Sequence, residues 1–118
     1  MRITVTALSL LFLTISAAAA HAHASLAHAS PSVGSIVSVA PHEVILTFTE
    51  RLEAAFSTLM VLDANGTEVS QGKAQVNDHA MRISLKPLNP GTYKVNWRAV
   101  STDTHKIEGS FTFSVGAQ

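Results

Sequence analysis

The clearest pattern along the chain is alternation. Val44, Leu46 and Phe48 fall on one side of Val44-Ile45-Leu46-Thr47-Phe48-Thr49, and Tyr93-Lys94-Val95-Asn96-Trp97-Arg98 and Ser110-Phe111-Thr112-Phe113-Ser114-Val115 keep the same apolar-polar beat. Side chains on an extended backbone point to its two faces in turn, so each stretch predicts a strand with one buried face. Thr58 to Leu62 is a mostly apolar run of strand length. Turn chemistry separates these stretches at Asn65-Gly66, which suits a tight hairpin, at Asn77-Asp78, and at Pro87-Leu88-Asn89-Pro90-Gly91. Glu50 to Ser57, ERLEAAFS, is rich in helix formers, but its length allows only a single turn or an irregular crossing. Roughly seven short strands with a turn every ten residues or so predict an all-β fold, an Ig-like or cupredoxin-like antiparallel Greek-key β-sandwich. Phe48, Tyr93, Trp97, Phe111 and Phe113 are its expected core, with the polar tips of Tyr93 and Trp97 satisfied at the sandwich edge.

The start of the chain breaks this pattern. Arg2 is followed by an apolar stretch from Ile3 to Ile15 and then by the small residues Ser16 to Ala20, the layout of a secretory signal peptide. The apolar part is shorter than the roughly 20 residues a membrane span needs. Leader cleavage needs small residues three positions and one position before the cut, and Ala20-His21-Ala22 supplies them, which would leave His23 as the new N-terminus. Ala18-Ala19-Ala20 would leave His21, and Ala22-His23-Ala24 would leave Ser25. The expected division is a signal peptide over 1–22 and one domain over 23–118, exported to the periplasm. The 96 residues from His23 onward are enough for a single core and too few for two.

Loss of Arg2 with the leader leaves seven Lys and Arg against eight Asp and Glu, with no basic run. Nucleic acid is therefore not an expected partner. Cysteine is absent, so no disulfide can staple this exported domain, and any metal site must be built from nitrogen, oxygen or thioether ligands.

Two places carry ligand chemistry. A histidine at a free N-terminus offers its α-amine and its ring Nδ1 to one ion, a nitrogen pair suited to the tetragonal plane of Cu(II). The second place is Asp103-Thr104-His105, where an extended backbone would point the carboxylate and the imidazole the same way. Taken alone, His23 reads as a polar residue at a frayed terminus and Asp103 and His105 as loop residues facing solvent.

Three stretches together make the reading specific: HASLAHASP near the start, LTFTERL at 46 to 52, and LNPGTYKVNWRAVSTDTHKIEGSFTFSV at 88 to 115. In this order they resemble the CopC family, exported bacterial copper-binding domains, and the likeness runs through the whole chain after the leader. The resemblance implies that the mature chain begins at the histidine eight residues before Pro31, which is His23, and that this residue holds Cu(II) as a histidine brace. It further implies that Asp103 and His105 complete the copper site and that Glu50 lies close to it. One Cu(II) per chain is expected, in a periplasmic carrier or buffer for copper homeostasis or resistance that is a monomer and not an enzyme. The family also implies a CopD-type inner-membrane copper transporter as partner, here expected to be a separate chain.

Some family members carry a methionine-rich loop for Cu(I). Here the corresponding region holds only Met60 and Met81, both expected to fill the core, so the chain resembles the Cu(II)-only members. His42 and His79 are expected at the surface. His28 would face away from the site on a regular first strand and could join it only through a bend or bulge, which leaves it an auxiliary candidate. Two other functions remain open at this point: a histidine-brace copper monooxygenase, and an Ig-like interaction module whose histidines are incidental.

Overall fold

The computed structural model describes residues 26–117. Eight strands and one short turn of helix follow in order: β1 (Leu26–Ser30), β2 (Ile36–Val37), β3 (Glu43–Phe48), a 3-10 turn (Ala54–Phe56), β4 (Thr58–Leu62), β5 (Ser70–Asn77), β6 (Ala80–Leu85), β7 (Gly91–Val100) and β8 (Lys106–Val115). They form two four-stranded sheets, β1-β3-β6-β5 and β2-β8-β7-β4. This is the expected all-β sandwich. Its neighbours are antiparallel except that the two-residue β2 runs parallel to β8, with Ile36 opposite Ser114.

The alternating stretches are strands for the reason their pattern suggests. Along β3 every second residue, Val44, Leu46 and Phe48, is buried, and along β7 the inward set is Tyr93, Val95, Trp97 and Ala99. β8 contributes Phe111, Phe113 and Val115, and β6 contributes Met81, Ile83 and Leu85. Each fully buried large apolar side chain contributes roughly 1.5–3 kcal/mol relative to exposure. A cluster of seventeen buried apolar residues can therefore hold the sandwich without a disulfide.

The aromatic core is as expected, but the polar tips differ. The Tyr93 hydroxyl donates to the Asn89 carbonyl at 2.6 Å, and its ring stacks on Phe113 with centroids 5.6 Å apart. Trp97 is buried edge-on against Phe48, centroids 5.2 Å apart, and its Nε1 has no hydrogen-bond partner among the described residues. The indole therefore does not reach the sandwich edge with its N–H. Met81 is fully buried as expected, whereas Met60 lies on the outer face of β4 and is 41% exposed, so it fills no core gap.

The turns follow their sequences, with one difference. Asn65-Gly66 does not make a two-residue hairpin. Instead the Asp63 carboxylate accepts the backbone N–H of Asn65 and of Thr67, both at 2.9 Å, and the chain returns so that Val69 N–H donates to the Val61 carbonyl at 2.8 Å. An aspartate that can bond its own backbone two residues on favours this wider turn.

Candidate metal centre

Two loops meet at one end of the sandwich. The first leaves β3 through Thr49, Glu50, Arg51 and Leu52, and the second, Ser101 to His105, joins β7 to β8. Leu52 and Ser101 form an antiparallel bridge, Thr102 N–H donates to the Arg51 carbonyl at 2.9 Å, and Glu53 N–H donates to the Val100 carbonyl at 2.7 Å. The β5–β6 turn supports the first loop from the other side, where Phe48 N–H donates to the His79 carbonyl at 2.8 Å and Leu52 N–H to the Asp78 carbonyl at 2.9 Å. Glu50 is thus carried on a loop with backbone anchors to both sheets.

The geometry brings Glu50, Asp103 and His105 together, with one ligand atom from each lying within 4.8 Å of the others, all three side chains exposed. His105 Nδ1 is 3.2 Å from Asp103 Oδ2. The pairing of Asp103 with His105 agrees with the sequence, but the backbone reason differs. Thr104 has φ 72°, in the left-handed region that β-branched residues avoid, so the two side chains converge across a tight turn and not along an extended strand.

Ser101 organises that turn. Its hydroxyl is buried, accepts the His105 backbone N–H at 3.1 Å and donates to Asp103 Oδ1, while Ser101 N–H donates to the His105 carbonyl at 2.9 Å. The hydrogen bond from the Ser101 hydroxyl holds the Asp103 carboxyl below its ordinary range, outweighing the opposing effect of desolvation, and the nearby His105 adds a lesser lowering effect. Asp103 is therefore an anion at neutral pH. Sequence reading missed Ser101, although a serine two residues before an aspartate in a turn is a signal for such back-bonding.

The neighbouring cation does not neutralise the cluster. Arg51 Nε lies 2.9 Å from Asp78 Oδ1, and the other oxygen of Asp78 is 2.9 Å from His79 Nδ1, so Arg51 has a carboxylate of its own. His79 is accordingly half-exposed and paired at the surface, and His42 is exposed. β1 does contain a register shift between Leu26 and His28, the irregularity that His28 would need. Even so, His28 sits exposed across from Thr47 and is not among the clustered ligands. His23 lies outside the described residues.

One imidazole and two carboxylates without a thiolate form a donor set suited to a divalent transition metal of borderline softness. Fold and cluster together define a β-sandwich with a surface nitrogen-and-oxygen ligand corner. The chain belongs to the CopC family, whose domain model matches residues 26–116. Copper resistance protein C of Pseudomonas syringae pv. tomato is 42% identical over 99 residues, covering 76% of this chain and 78% of that protein. The crystal structure of CopC from Methylosinus trichosporium OB3b superposes with a TM-score of 0.69 at 33% identity, covering 80% of this chain and 94% of that one. PcoC from Escherichia coli, described as a methionine-rich copper resistance protein, superposes with a TM-score of 0.68 at 36% identity over 80% and 99% of the two chains.

Proposed function

We propose that the protein is a periplasmic Cu(II) carrier or buffer in copper homeostasis or resistance. Its leader is removed after Ala22, and one Cu(II) per monomeric chain is held by the α-amine and Nδ1 of His23, the ring of His105 and the carboxylate of Asp103, with Glu50 beside them. The observation that carries the reading is the meeting of Glu50, Asp103 and His105 within 4.8 Å. Two further facts support it. Relatives over three-quarters of the chain are named copper resistance proteins. Leu26, the first described residue, pairs with Phe48, two positions before Glu50, so the chain enters the fold at the end that carries the cluster.

The division of labour follows from the ligands. Two carboxylates supply negative charge against a dication, and the nitrogen donors supply the stronger in-plane bonds that Cu(II) favours. Because ligands on the chain must be unprotonated, capture competes with protons, and the amine and imidazoles rather than the already ionised Asp103 set that competition. A separate CopD-type inner-membrane transporter is the proposed recipient or donor of the ion.

Electron paramagnetic resonance of the exported protein with one equivalent of Cu(II) tests the site. The expected result is a nitrogen-rich tetragonal spectrum that changes in both His105→Ala and Asp103→Ala. Identical spectra from all three proteins would overturn the assignment.

A further inference from the structure

We infer that Ser101 is a positioning residue of this metal centre, its buried hydroxyl tying the Asp103 carboxylate and the His105 backbone together so that both proposed ligands stand side by side before an ion arrives. The inference rests on the copper reading above and goes beyond it in assigning work to a residue that touches no ion.

Ser101 is 1% exposed, whereas Asp103 and His105 are both open to solvent. Exposed side chains on a surface loop would ordinarily sample several rotamers, and ordering them at the moment of binding weakens capture. Here the ordering is largely complete in the folded chain. The Ser101 hydroxyl engages Asp103 Oδ1, which leaves Oδ2 facing His105 Nδ1 at 3.2 Å. Ser101 Oγ also accepts the His105 N–H at 3.1 Å and lies 3.3 Å from the His105 carbonyl, while Thr104 N–H donates to the Ser101 carbonyl at 2.9 Å.

These bonds hold the turn closed around Thr104, whose positive φ is unfavourable without such support. Ser101 is also the residue bridged to Leu52, so it links the Asp103 and His105 turn to the loop that carries Glu50. A partner that orients a ligand without contacting the metal commonly changes affinity about 10- to 100-fold.

The test uses the protein expressed with its own leader and purified after export, with the substitutions Ser101→Ala, Ser101→Thr and Ser101→Val. Threonine and valine match in shape, so their difference isolates the hydroxyl even where the smaller alanine loosens the loop. The expected result is Cu(II) affinity lowered about 10- to 100-fold in the alanine and valine proteins, with an altered paramagnetic resonance spectrum, and affinity within about threefold of wild type in the threonine protein. In the metal-free proteins the His105 amide should exchange with solvent faster once the hydroxyl is gone. Folded alanine or valine proteins that match wild type in affinity and spectrum would overturn the inference, as would a threonine protein no better than valine. A wild-type protein that binds no Cu(II) would instead refute the copper reading, and the amide exchange comparison would still decide whether Ser101 holds the turn.

Discussion

Leaving one extra residue ahead of His23 is expected to weaken Cu(II) binding by more than about 100-fold, beyond the range typical of changes outside the ligand shell. The extension converts the α-amine into a peptide nitrogen that carries a proton and no basic lone pair. The five-atom grip of amine and ring on one ion is then lost, and His23 can offer only a single nitrogen. The fold makes this a local effect. Leu26 pairs with Phe48, and Glu50 follows two residues later, so the proposed chain start has three residues in which to reach the cluster, about 10 Å when extended. The extension falls ahead of Leu26, Ala29 and the other described residues that pack the core, so thermal stability of the metal-free protein should be unchanged by it. Competitive Cu(II) titration of exported protein against a Met-extended form checks the result, with intact mass establishing which residue comes first. Equal affinities would remove the amine from the ligand set.

The second large effect concerns stability. Gly109→Ala is expected to cost about 2 kcal/mol, the middle of the range for forcing atoms into a well-packed core. Gly109 pairs with Trp97 across β7 and β8, and the indole lies directly over it. A Cβ at Gly109 would stand 2.4 Å from Cζ2, 2.8 Å from Cε2 and 3.1 Å from Cη2 of Trp97. The ring has little freedom to retreat, because it is buried and packed edge-on against Phe48 at 69°. For a domain of this length the loss corresponds to about 10 °C in Tm. Thermal unfolding followed by circular dichroism measures it, and a Tm within 2 °C of wild type would show that Trp97 has more room than its packing indicates.

The sequence revealed most of the parts of the fold whose burial repeats along the chain, although β6, whose Met81, Ile83 and Leu85 alternate as regularly, was missed, and it concealed those whose shape comes from neighbours. β3, β7 and β8 alternate because one face of each meets the core, and β4 reads as an apolar run. β5, Ser-Gln-Gly-Lys-Ala-Gln-Val-Asn, is a polar edge strand with a register shift between Gln71 and Gln75, and such an edge has no periodic signature. β2 is two residues long and exists only because Ser114 and Val115 pair with it.

The candidate site divides in the same way. Asp103 and His105 were legible as a pair because they are two residues apart, although the turn at Thr104, not strand geometry, makes them converge. Glu50 reaches them through hydrogen bonds between loops some fifty residues apart in sequence, and only the resemblance to the CopC family suggested its place. The burial of Ser101 arises from packing around the bridge to Leu52, which no local pattern encodes. Exposure of Met60 was misjudged because an apolar residue on an edge strand reads the same as one facing the core.

The position of Trp97 has a practical consequence. It is the chain's only tryptophan, shielded from water, and it rests against Phe48, whose strand ends just before Glu50. All ultraviolet emission characteristic of indole therefore comes from one dry spot on the strand that leads into the Ser101–His105 turn, and an open-shell cupric ion held at that turn as proposed would drain an excited ring where a closed-shell zinc ion would not. On the proposed reading, the molecule would carry its own optical gauge of loading, readable without label or tag.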